Sequence, residues 1–112
     1  MKGNMKSNYY EAAEIQMQAT YSGKYRTGNR VSDKLEKYNK IMLSDFENYK
    51  PLVKELINSE HPNVVIWISG VAMDKNFETD VVINRLKEIA EDKKLGIIRF
   101  DAEMVLKTRN LL

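Results

Sequence analysis

With 112 residues, 43% hydrophobic and 30% charged, the chain holds enough apolar material for one compact core and too much for wholesale disorder. It contains no cysteine, which excludes disulfides, thiolate nucleophiles, iron–sulfur clusters and cysteine zinc sites, and which fits a reducing compartment; its one histidine, His61, leaves no second imidazole for a zinc site. The net charge of +2 is unevenly spread, because residues 1–40 carry eight Lys/Arg against four Asp/Glu whereas residues 41–112 carry ten against twelve.

Residues 1–10 show no apolar run after Lys2 and Lys6, so they do not read as a secretory signal. The most apolar stretch, residues 64–73, is about half of the roughly 20 residues a bilayer span needs. The expectation is a soluble cytoplasmic protein with no membrane partner.

The strand signal is poor throughout, and the elements read as helices. The spacing predicts a first helix over residues 7–21, capped by Ser7, with Tyr10, Ala13, Met17 and Tyr21 on its inner face and Ser22-Gly23 ending it. A second helix is expected over 25–43, with Val31, Leu35, Tyr38 and Met42 on one face. Gly28 costs up to about 1 kcal/mol relative to alanine inside a helix, which leaves Gly28-Asn29 as an alternative start.

Ser44 followed by Glu47 forms a capping-box pattern, and proline is expected only in a first helical turn, so a third helix should begin between residues 44 and 51 with Leu52, Leu56 and Ile57 inward. Residues 58–63 read as a break around Pro62, which forces His61 away from helical dihedrals. The next segment, residues 63–73, is apolar nearly all round, and its β-branched residues favour a strand on propensity alone. The Pro-Asn start, the small pair Ser69-Gly70 as a close-packing position, and the want of a strand partner decide for a buried central helix. A fifth helix is expected over 78–92 with Val82, Leu86, Ile89 and Ala90 inward. A sixth is expected over 99–109, after Gly96, with Ala102, Val105 and Leu106 inward. The fold class is therefore all-α, one domain of about six antiparallel helices.

Several residues carry a resemblance. His61-Pro62-Asn63-Val64-Val65-Ile66-Trp67, Leu86 with Ile89-Ala90, the stretch from Gly96 to Phe100, Ala102-Glu103-Met104 with Leu106, and the upstream Gly28-Asn29-Arg30 with Asp33 together resemble a bacterial family catalogued as domain-of-unknown-function family twenty-nineteen. The resemblance spans residues 25–109 and leaves 1–24 as an N-terminal helical extension. It implies a HEAT/armadillo-like helical stack, and some relatives look like small antitoxin or immunity partners of bacterial toxins. One departure stands out: where the family and HEAT repeats often carry an arginine, this chain has Val65.

Read residue by residue, most possible sites have a structural explanation. His61 stands before a proline and reads as a turn residue, and Trp67 among Val64, Ile68 and Val71 reads as core. The carboxylates Asp45/Glu47, Asp74/Glu78, Asp101/Glu103 and Glu88/Glu91/Asp92 read as solvated helix faces, and no glycine-rich loop precedes a helix. With the usual nucleophile and base missing, neither enzymatic activity nor a metal or cofactor is expected. The second helix is different: Arg26, Arg30, Lys34 and Lys37 repeat along one flank, beside the apolar stripe. Such a row is a solubilising face, a surface for a protein partner, or a phosphate-binding surface for nucleic acid. The expectation is a non-enzymatic protein-interaction module binding through Tyr21, Tyr25, Arg26, Arg30, Lys34 and Lys37, with an immunity or antitoxin protein and a nucleic-acid binder as the alternatives.

Overall fold

A computed structural model describes residues 2–112. These residues form α1 (Lys2–Ser22), α2 (Tyr25–Ser44), α3 (Phe46–Ile57), α4 (Pro62–Asp74), α5 (Thr79–Glu91) and α6 (Ile98–Thr108), with a single 3-10 turn at Lys93–Leu95 before the last helix. Among the described residues there is no strand, and the helices pack around one core.

The fold is organised by α4, which packs against all five other helices. Nine of its thirteen residues are buried, from Asn63 to Met73, so the segment is wrapped on nearly every side. Pro62 occupies the first helical turn, where its missing N–H costs nothing, and His61 takes the extended backbone expected of a residue before proline. Burial of each Val or Ile side chain contributes roughly 1.5–3 kcal/mol, which far exceeds the few tenths by which β-branching disfavours a helix. Tertiary packing thus overrides the local strand preference. The buried Ser69 hydroxyl donates to the Ile66 carbonyl at 2.6 Å and so adds no unsatisfied group.

Around this axis α1 packs along α2, and α5 along α6. The α2 stripe buries Val31, Leu35 and Met42 as the spacing predicts, with Tyr38 half-buried; α5 buries Val82, Leu86 and Ile89, and α6 buries Ile98, Ala102 and Leu106. Gly23 ends α1 at φ 72°, and the Lys24 N–H closes back onto the Ala19 carbonyl at 2.9 Å, a left-handed cap that glycine adopts without strain.

Local expectations fail in four places. Ser7 is not a cap, because α1 already runs from Lys2; of the expected inner face Ala13 is buried, Tyr10 and Met17 are half-buried and Tyr21 is exposed, while Met5, Tyr9, Ala12 and Ala19 complete the buried side. Small residues win this face because α2 approaches closely: a Cβ on Gly28 would lie 3.5 Å from the Ala19 Cβ. Gly28 therefore sits inside α2, which starts at Tyr25. Ser44 does not cap α3; its hydroxyl turns back to the Ile41 carbonyl at 2.9 Å, and Asp45 takes the boundary position, accepting from the Asn48 amide at 2.7 Å. Pro51 lies beyond the first turn of α3, tolerated because both it and Glu47, whose carbonyl loses its helical donor, are exposed to water. Finally, Gly70 is no close-packing position, since a Cβ there would meet nothing within 4 Å.

Polar struts lock the helices in register. The fully buried Tyr9 hydroxyl donates to Asn39 Oδ1 at 2.8 Å, and Asn39 Nδ2 donates to the Trp67 carbonyl at 3.0 Å, joining α1, α2 and α4. Buried Asn63 donates to the Ala13 carbonyl and to Gln16 Oε1, both at 2.8 Å. Ser59 gathers the Tyr10 hydroxyl at 2.7 Å and the His61 N–H at 3.0 Å, while the Arg85 guanidinium donates to its carbonyl.

Candidate functional site

The helix α6 is apolar on two faces. Ile98, Ala102 and Leu106 point into the core, whereas Ile97, Phe100 and Met104 form a second row that is 49%, 51% and 59% exposed. The 3–4 spacing places these three on one side of the helix, and Arg99 lies over the Phe100 ring with its Cζ 5.0 Å from the centroid. The fold leaves this row uncovered, as an apolar strip along the outer side of the helix.

This row merges at Met104 into a groove of about 480 Å³ between α6, α4 and the α1–α2 pair. Trp67 and Ile66 of α4 supply apolar wall, and the open space beside Gly70 belongs to it. Trp67 is accordingly half-buried at the edge of the core, with one side to the groove. Nearly every polar side chain lining the groove already has a partner within the fold. Gln16 and Asn39 are held by the struts, the Ser69 and Thr108 hydroxyls by helix carbonyls, and Arg109 by Asp74 at 2.8 Å.

Asp101 is different. Among the described residues its carboxylate makes no hydrogen bond or ion pair, and burial pushes it up from the ordinary carboxylate range. The same charge reaches Tyr21, whose hydroxyl is pushed up first by burial and then by Asp101. Tyr21 is tied to this end of the molecule: its hydroxyl donates to the Leu95 carbonyl at 2.6 Å and its ring lies against Gly96. Gly96, at φ 59°, makes the turn into α6 that brings Leu95 under that hydroxyl.

The residues expected to bind a partner are thus divided. Arg26, Arg30, Lys34 and Lys37 are all exposed along α2, and among the described residues none is paired with a carboxylate. Tyr25, at 80% exposed, stands at the start of the same helix, while Tyr21 belongs with the α6 face. The α6 row was missed because apolar residues three and four apart are assigned to a core by default; the signal available was that α6 carries two such rows.

Several other groups singled out from the sequence make contacts within the fold. His61 starts α4, its ring packed edge-on to Tyr10 and its Nε2 3.6 Å from Glu14 Oε1. Glu47, Glu78 and Glu103 pair with Lys50, Lys54 and Lys107, and among the described residues no group of three or more acidic or imidazole side chains is arranged to hold a metal. No helix among the described residues is long and apolar enough to cross a membrane. Comparison with protein-family models, with curated proteins and with solved structures found no match.

Proposed function

We propose that the chain is a small non-enzymatic protein-interaction module whose main contact face is the outer side of α6 and the groove beside it. The observation that carries this reading is the exposed row Ile97, Phe100 and Met104, continuous with an apolar groove on a rigid helical support. Helices packed around a shared buried helix present pre-formed outer faces, as a binding module requires. An immunity or antitoxin role is a special case, with a toxin surface as the partner.

The test is capture of partner protein from lysate of the native host. Wild-type chain retains a defined protein, and a Phe100→Ser/Met104→Ser variant that keeps its helical circular dichroism loses it. Equal capture by both would overturn the assignment of this face.

A second reading, nucleic-acid binding, is favoured by the row of four exposed cations on α2. Neutralising several phosphates makes affinity steeply salt-dependent, so a DNA or RNA probe would shift at low salt and lose its shift in an Arg26→Glu/Arg30→Glu/Lys34→Glu variant. No shift at low salt removes this reading.

A further inference from the structure

We propose that the groove between α4 and α6 receives a lysine or arginine side chain from the partner, with Asp101 as its counter-charge and the α6 row holding the apolar residues on either side of it. This role rests on the protein-binding reading above and names the chemistry of the segment that binds.

The electrostatics of the groove single out a cation. One anion and one cation line it, Asp101 and Arg109, but Arg109 is paired at 2.8 Å with Asp74, which lies outside the groove, and this leaves Asp101 without a counter-charge. An anionic ligand would be repelled by that charge, and Gln16, Asn39, Ser69, Thr108 and Arg109 each already donate to another group of the fold. A neutral ligand would leave a half-buried carboxylate further desolvated and unpaired, which is costly. A guanidinium or ammonium group meets both conditions, and the neighbouring Trp67 supplies the aromatic surface on which such cations pack.

The dimensions agree. About 480 Å³ lies within the range of sites that hold a ligand group, and it accommodates the long aliphatic stem of a lysine or arginine against Ile66 and Met104. The helix dipole offers a purely structural reason for an acid in the first turn of α6. It does not account for a half-buried position, since an exposed carboxylate in the same turn would stabilise the dipole without the burial that raises Asp101.

The experiment pans a random dodecapeptide display library on the full chain and titrates the strongest binder against the emission of Trp67, the one tryptophan in the chain. The expected binders carry lysine or arginine beside apolar residues. Replacing that arginine with citrulline, or Asp101 with asparagine, should weaken binding roughly tenfold or more, the loss typical of a charged hydrogen-bonded pair. Filling the groove with Gly70→Leu should weaken binding as well, and circular dichroism confirms that each variant is folded. Binders that are acidic or uncharged, or that hold wild-type affinity to Asp101→Asn within about twofold, overturn the cation site. If such binders are nevertheless lost with Phe100→Ser, the protein-binding face stands without it; a library yielding none, or only binders indifferent to both changes, removes both.

Discussion

Replacing Tyr9 with phenylalanine removes one oxygen from the centre of the molecule. The Tyr9 ring is fully buried, and its hydroxyl is the donor that satisfies Asn39 Oδ1, while Asn39 in turn holds the Trp67 carbonyl. Phenylalanine fills the same volume, so no cavity term enters, and the cost is that of leaving the amide oxygen without a donor. A buried group stranded in this way costs about 1–3 kcal/mol. For a chain of this size that corresponds to a fall in Tm of roughly 4–13 °C.

The assay is thermal and urea unfolding, followed by helical circular dichroism and by Trp67 emission. Removing Asn39 as well should cost less than the sum of the two single changes, because the stranded Asn39 oxygen and the Tyr9 hydroxyl are then both gone. A second signature is alkaline. Burial, partly offset by the hydrogen bond to Asn39, holds the Tyr9 hydroxyl well above the ordinary tyrosine range. The folded state therefore keeps a proton that the unfolded chain releases above about pH 10, and stability must fall as pH rises past that point. The phenylalanine variant loses Tyr9's share of this alkaline slope. A variant as stable as wild type, with the alkaline slope intact, would refute the strut.

Other substitutions test the remaining packing. Gly28→Ala should stabilise by roughly 0.5–1 kcal/mol in urea unfolding, since the added methyl reaches ordinary contact distance from Ala19 inside a helix. Asp101→Asn should leave stability at neutral pH unchanged or improved, because burial disfavours the charged form. With its carboxyl raised in the fold, wild type gains relative to the asparagine variant as pH falls through the ordinary aspartate range, and urea midpoints on either side of it would show this. Val65→Arg should prevent stable folding, at a cost of about 4 kcal/mol or more, because Val65 is fully buried; native-like unfolding of that variant would contradict the packing of α4.

How much of this was legible from residues alone depends on how strongly each segment is patterned. The Val31–Leu35–Met42 stripe has an unambiguous helical period and polar residues opposite, so α2 and its buried face could be read directly. The α4 segment has no polar face, and only Pro62 and the context separate helix from strand; the five helices that surround it explain why the context wins. The face of α1 was harder, because its buried positions are mostly alanines, which carry little hydrophobic signal, while its exposed side holds Ile15 and Tyr21. Ser44 and Asp45 are both good cap residues one position apart, and spacing alone cannot choose between them. As for the groove, its polar residues come from four helices distant in sequence, and Asp101 is distinguished only by the partners its neighbours have and it lacks.

The face assigned to α6 is tested most directly by placing a photo-crosslinking amino acid at position 104 and, in a second variant, at position 88 on the exposed side of α5, each expressed in the native host. Irradiation should join position 104 to a discrete partner protein and leave position 88 unlinked. Equal labelling from both positions, or none from position 104, would contradict it.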